Sequence, residues 1–119
     1  MSEPLNDAAL VAAFSSSSAL APDLSGSYQV TGTTPDGGVY EGVLDLEKVG
    51  DDVYSMRWDV GAIYLGTGVY KDGYLAAGYA SEDDKFSGVS LYAVEGSETL
   101  RGSWTAYGAV ALGTELAQR

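Results

Sequence analysis

The chain has 119 residues, no cysteine and no histidine, and a formal net charge of −11 from 17 acidic and six basic side chains. One domain of this size can bury a core without disulfides. The two missing residue types exclude thiolate and Ser-His-Asp chemistry and the commonest metal ligand, and the charge repels nucleic-acid phosphates and anionic lipid head groups.

The first segment stands apart. Leu5, Leu10, Val11 and Phe14 recur at helical spacing among alanines, with Asn6 or Asp7 placed to cap. The spacing predicts a short helix over 4–14, followed by a linker to residue 25. No run of about 20 apolar residues follows anywhere, so no membrane insertion is expected. No Lys or Arg precedes Lys48, and a secretory n-region is therefore missing as the chain is written. That predicts a cytoplasmic protein, or a secreted or periplasmic one if a leader has been removed.

From Gly26 onward turn signals recur at Pro35-Asp36-Gly37-Gly38, Gly50-Asp51-Asp52, Gly61, Lys71-Asp72-Gly73, 81–86, Glu95-Gly96-Ser97-Glu98 and Gly108. They separate eight predicted strands, at about 26–33, 39–48, 53–60, 63–70, 74–80, 87–94, 99–106 and 110–117. Connections this short join antiparallel neighbours, because a parallel crossover needs about a dozen residues.

The chain also repeats itself at a spacing of about 46 residues. Tyr28 and Gly32 return as Tyr74 and Gly78, Gly42 as Gly88, and Trp58 as Trp104. Gly61-Ala62-Ile63-Tyr64-Leu65-Gly66-Thr67 returns, one residue later, as Gly108-Ala109-Val110-Ala111-Leu112-Gly113-Thr114. Two four-strand units (26–70 and 72–117) set edge to edge close a barrel and leave no strand edge exposed. The expected fold is therefore all-β: an eight-stranded antiparallel up-and-down barrel of two repeats, with a short N-terminal helix.

Alternation assigns the inner faces. Tyr54, Met56, Trp58 and Val60 face the core on the third strand, Leu100, Gly102, Trp104 and Ala106 on the seventh, and Gly42, Leu44 and Leu46 on the second. Tyr54, Met56, Trp58, Leu100 and Trp104 are the candidate interior ligand-binding residues. Nearly every strand carries a glycine. Such glycines bend a small barrel at its corners, make room for a ring on the facing strand, or hollow out a cavity.

The fourth strand has no charge on either face, nor has the eighth before Glu115. This predicts cover on both faces, with Ile63, Leu65, Val110 and Leu112 as interface candidates in a homo-oligomer. Of nine tyrosines, Tyr28, Tyr40, Tyr64, Tyr70 and Tyr74 are the set expected to include mouth or interface residues. The acids cluster in turns, at Asp51-Asp52 and Glu82-Asp83-Asp84, and on outward strand faces. They lack the spacing of a calcium loop, and no catalytic residue, metal site or cofactor is expected.

The pattern Gly-x-Tyr-x-Val-x-Gly-x-x-Pro-Asp-Gly over Gly26 to Gly37, then Tyr40-Glu41-Gly42, Trp58, Leu100-Arg101-Gly102-Ser103-Trp104 and Gly113-Thr114-Glu115, resembles a group of bacterial β-rich proteins. Some of its members carry a fibronectin-binding label. The resemblance covers about 26–115 and implies a binding or interaction module. The eight strands and the Gly-x-Trp element also resemble avidin-like and lipocalin-like barrels more weakly. The leading functional expectation is thus a non-enzymatic, self-associating interaction or adhesion module with a protein partner. One alternative is a carrier of a small apolar ligand inside the barrel. The other is a His-free, metal-free enzyme using Tyr and a carboxylate turned inward.

Overall fold

The computed structural model describes residues 22–119. They form β1 (Gly26–Thr33), β2 (Val39–Gly50), β3 (Val53–Asp59), β4 (Ile63–Lys71), β5 (Tyr74–Ser81), β6 (Ser87–Glu95), β7 (Thr99–Ala106) and β8 (Gly113–Gln118). The helix expected over 4–14 lies outside the described residues. Each strand pairs antiparallel with the next, and β8 pairs back onto β1, so the barrel is closed and up-and-down. The turns enforce this order. Asp72 and Gly73 both adopt positive φ (52° and 89°) between the paired residues Lys71 and Tyr74. A two-residue loop of that kind matches the twist of an antiparallel hairpin and fits no other connection.

Two boundaries differ from the sequence reading. β2 continues to Gly50 through a register irregularity between Lys48 and Gly50. β8 begins at Gly113 rather than 110, so Val110 and Leu112 belong to the loop after β7 and not to a strand face. Gly108 takes a φ of 90° there, and the Ala109 N–H donates to the Ala106 carbonyl at 2.9 Å. That turn consumes the residues a longer strand would have used.

The end of the barrel where β1 begins, here the lower end, is solid. Tyr28, Leu44, Tyr54, Met56, Leu75, Leu100 and Ala117 point inward and are essentially inaccessible. Leu24 fills the opening below them. Its N–H donates to the Tyr54 hydroxyl at 3.1 Å, and its carbonyl accepts from the Tyr28 hydroxyl at 2.8 Å. Arg119 crosses the same opening. It lies 5.2 Å from the Tyr28 ring centre and donates to the carbonyls of Asp23 and Ser97. Each large side chain buried in this way contributes about 1.5–3 kcal/mol.

The inward glycines make room for rings. Gly32 faces Tyr40 across the β1–β2 pair, Gly88 faces Tyr79, Gly102 faces Tyr92 and Gly113 faces Trp104. A methyl group on Gly102 would sit 2.7 Å from the Tyr92 ring, and one on Gly113 would sit 2.7 Å from Trp104. Gly78 differs: it faces outward, and a methyl group there meets nothing within 4 Å. We expect Gly102→Ala to destabilise the barrel by about 1–3 kcal/mol through overpacking. Gly78→Ala should be neutral or stabilising, since it only restricts the unfolded chain. Urea midpoints of the two variants test this, and equal midpoints would refute the packing role.

The 46-residue correspondence preserves side-chain direction in only part of the chain. Trp58 and Trp104 both point inward on β3 and β7, as do Gly42 and Gly88 on β2 and β6. Tyr28 is fully buried, however, whereas Tyr74 is 54% exposed on the outer face. On the outside of β4 to β6, Leu65, Val69, Val89 and Leu91 stand around Ala76, Gly78 and Ala80. No charged side chain interrupts that group. Leu65 and Val69 are about half exposed, so among the described residues the outer face of β4 lacks the expected cover.

Candidate functional site

The upper half of the barrel is hollow. A cavity of about 530 Å³ opens between the β1–β2, β3–β4, β5–β6 and β7–β8 loops. Its rim carries Thr34, Pro35, Asp36, Val60, Phe86 and Ala109, and its wall carries Tyr40, Trp58, Tyr64, Tyr79 and Trp104. These five aromatic rings touch edge to face in a chain. Trp58 and Tyr64 each meet Tyr79, at centre distances of 5.8 and 5.7 Å. Trp104 meets Tyr79 at 6.5 Å and Tyr40 at 6.1 Å. Such contacts fix ring orientation beyond what area burial alone provides.

Deeper in the cavity lies Glu115, only 6% exposed. Its Oε1 accepts from the Tyr40 hydroxyl at 2.6 Å. Its Oε2 accepts from the Tyr92 hydroxyl at 2.5 Å and from the Trp58 indole N–H at 3.0 Å. The indole N–H also approaches the Tyr92 hydroxyl at 3.3 Å.

The glycines explain how side chains from separate strands converge. Tyr40 on β2 lies across Gly32 on β1 and reaches β8. Tyr92 on β6 lies across Gly102 on β7 and reaches β8 from the other side. Tyr79 likewise crosses Gly88 to donate to the Thr105 carbonyl at 3.1 Å. A side chain at any of these glycines would block the crossing.

The local electrostatics follow from burial and from Glu115. Burial pushes the Tyr92 hydroxyl well above the usual phenol range, and the negative charge of Glu115 adds to the shift. Tyr40 is raised for the same reasons in the same order. Tyr79 is pushed up to about 12, by burial first and then by Tyr64 and Glu115. Tyr28, at the lower end, is raised mainly by burial.

A folded-state pKa above the unfolded value of 10.0 gives stability that is complete below about pH 10 and lost as pH rises through the folded value. Stability should therefore fall between about pH 10 and pH 12. Tyrosinate absorbance and circular dichroism titrated together test this. Four of the nine tyrosines should ionise only as the barrel opens. Full ionisation near pH 10 with the spectrum of the fold intact would refute it.

One further polar residue lines the cavity. Ser90 is 6% exposed, and its Oγ is buried with no hydrogen-bond partner among the described residues. Among the described residues no Lys or Arg lines the cavity. The nearby Arg101 lies on the outside of β7, paired with Glu95 at 3.0 Å. Among the described residues no three His, Cys, Asp or Glu side chains gather as a metal cradle.

Of the candidate interior residues, Trp58 and Trp104 line the cavity. Tyr54, Met56 and Leu100 are inward as expected but belong to the solid lower end. Of the tyrosine set, Tyr40 and Tyr64 reach the cavity wall, Tyr28 is in the lower core, Tyr70 is half-buried, and Tyr74 faces outward. The acids were expected to concentrate in turns and on outer faces; Glu115 is an exception and points inward from β8. Tyr79, Ser90 and Tyr92 were also missed, although alternation along β5 and β6 carries a signal for each.

No family model and no curated protein matches the chain. Solved structures do. A redesigned β-barrel superposes with a TM-score of 0.73 at 14% identity, covering 81% of this chain and 90% of its own. A de novo designed fluorescence-activating β-barrel gives 0.66 at 11% identity, covering 80% and 93%. EF1p2_mFAP2b bound to DFHBI gives 0.65 at 16% identity, covering 81% and 93%. At these identities the likeness establishes a shared barrel fold.

Proposed function

We propose that this protein binds a small, flat, mostly apolar molecule in the upper cavity. The observation that carries the reading is an open pocket of about 530 Å³ walled by five aromatic rings, with Glu115 at its depth and Thr34 and Asp36 at its rim. Ligand sites are typically concave, apolar and of about 300–1,000 Å³, with few convergent polar groups fixing orientation. The solid lower half supplies a rigid base, so the pocket is preformed and little ordering cost attends binding. Two of the barrels it superposes on are described as fluorescence-activating or as bound to DFHBI, which adds support for a ligand inside this one.

Titration with a panel of flat aromatic probes (DFHBI, Nile red, 1-methylnaphthalene and N-methylquinolinium) tests the reading. At least one should saturably change the emission of Trp58 and Trp104 at one molecule per chain. If none does, the binding reading fails.

The uncharged outer face of β4 to β6 favours a second reading, compatible with the first, in which a second copy of the chain docks there. Its anchors are Leu65, Val69, Val89 and Leu91, with Ile63 half-buried at the margin. Sedimentation of the wild type and of a Leu65→Glu, Leu91→Glu double variant tests this. Association in the wild type and its loss in the variant are expected, and a strict monomer at high concentration overturns it.

A further inference from the structure

We infer that the molecule the cavity selects is an organic cation, a flat aromatic or alkylated ammonium that seats its positive charge beside Glu115 and the aromatic wall. The inference rests on the binding reading above and specifies its ligand class. Four observations converge on it.

The first is the charge at the depth of the cavity. Glu115 is buried and is met only by neutral donors, two phenol hydroxyls and one indole N–H. A carboxylate offers about four acceptor positions, and three are occupied, so one is left for a ligand. Among the described residues no cationic side chain lines the cavity. Buried charges are ordinarily paired, and an incoming cation would pair this one.

The second is the wall. Tyr40, Trp58, Tyr64, Tyr79 and Trp104 all line one space. Aromatic faces attract cations through the ring quadrupole, and indole rings do so best. Boxes of such rings beside an acid suit alkylated ammonium groups, which keep little of their hydration and offer apolar surface as well as charge. An anion would meet both the ring quadrupoles and Glu115 unfavourably.

The third is Ser90. Ser90 lines the same cavity, and its Oγ, buried beside the Tyr92 hydroxyl, makes no well-formed hydrogen bond among the described residues. A buried hydroxyl without a partner carries a desolvation cost, which a polar atom on a ligand would remove. The fourth acts at longer range. The chain carries a net charge of −11, and Asp36 stands at the rim of the cavity. A negative surface with an acid at the mouth concentrates cations near the opening.

Two probes of matching shape separate this inference from the reading beneath it. N-methylquinolinium and 1-methylnaphthalene share a fused two-ring outline and a methyl group, and differ by one positive charge. Calorimetry should show the cation binding about tenfold or more tightly than the neutral compound. The NMR signals of the Trp58 and Trp104 indole N–H groups should shift on binding, with the larger change at Trp58, which contacts Glu115. In Glu115→Gln, checked by its melting curve, the two affinities should converge. If the Gln variant does not fold, the wild-type comparison still decides the matter.

Equal affinity of the two probes for the wild type, or tighter binding of 1-methylnaphthalene, overturns the cation inference and leaves the binding reading standing. A preference for the cation that survives unchanged in a folded Glu115→Gln variant also overturns it. Failure of both probes, together with the rest of the panel, would remove the binding reading itself.

Discussion

Glu115→Ala is expected to destabilise the barrel by about 2–4 kcal/mol, although it removes a charge from the interior of an already acidic protein. The carboxylate is the common acceptor for three side chains on three strands. Without it the Tyr40 hydroxyl retains only a long contact to the Thr114 carbonyl at 3.4 Å. The Trp58 indole retains the Tyr92 hydroxyl at 3.3 Å. The Tyr92 hydroxyl, which is buried, loses its well-formed acceptor and keeps only the neighbouring Ser90 hydroxyl. Each buried donor left unmatched costs about 1–3 kcal/mol, and that outweighs the relief of removing one buried charge that is already well solvated by donors. Glu115→Gln keeps an acceptor in place and should cost about half as much. The measurement is the urea midpoint of both variants beside the wild type. An alanine variant as stable as the parent would show that the three donors find water instead.

The second large effect contrasts the two tryptophans. Both point inward at positions 46 residues apart, yet they do different work. Trp58 is 5% exposed, packs over Gly66 and donates to Glu115. Trp58→Ala should cost about 3–5 kcal/mol, in the range of large aromatic deletions from cores. Trp104 stands higher on the wall, is only partly buried, and donates to the Thr114 carbonyl at 3.2 Å. Its removal leaves a space continuous with the cavity and with solvent, so Trp104→Ala should cost about 1–2 kcal/mol. It should widen the pocket while leaving the fold intact. Chemical denaturation of the two variants decides this, and equal losses would mean that the two tryptophans carry the same packing load.

Much of the fold was legible from punctuation. Asp72-Gly73 between alternating strands could hardly be anything but a tight hairpin, and six of the eight predicted strands fall within a residue or so of their observed limits. The inward set on β3 followed from Tyr54, Met56 and Trp58 alternating with Ser55, Arg57 and Asp59. The site was less legible, for a reason visible in β8. In Gly113-Thr114-Glu115-Leu116-Ala117, ordinary patterning would send Leu116 inward and Glu115 outward. The observed pairing does the opposite, setting Glu115 opposite Gly102 and Leu116 opposite Arg101. That parity is fixed by the length of the loop after β7, which absorbs Val110 and Leu112. A one-residue difference there reverses every side chain of the strand. The acid at the centre of the cavity thus depended on a loop length that composition and alternation do not constrain.

The sealed lower end has a consequence for how a guest must travel. With Leu24 and Arg119 across one opening and the loops around the other, the described residues leave a single route in and out, and it has a direction. A ligand of the proposed kind would lead with the group that meets Glu115 and trail the rest of itself toward the rim. The trailing end stays near solvent, so it need not be small. The barrel would accept a suitable head while the tail is still fixed to a bead, a polymer or another macromolecule, provided the tether leaves from the far end.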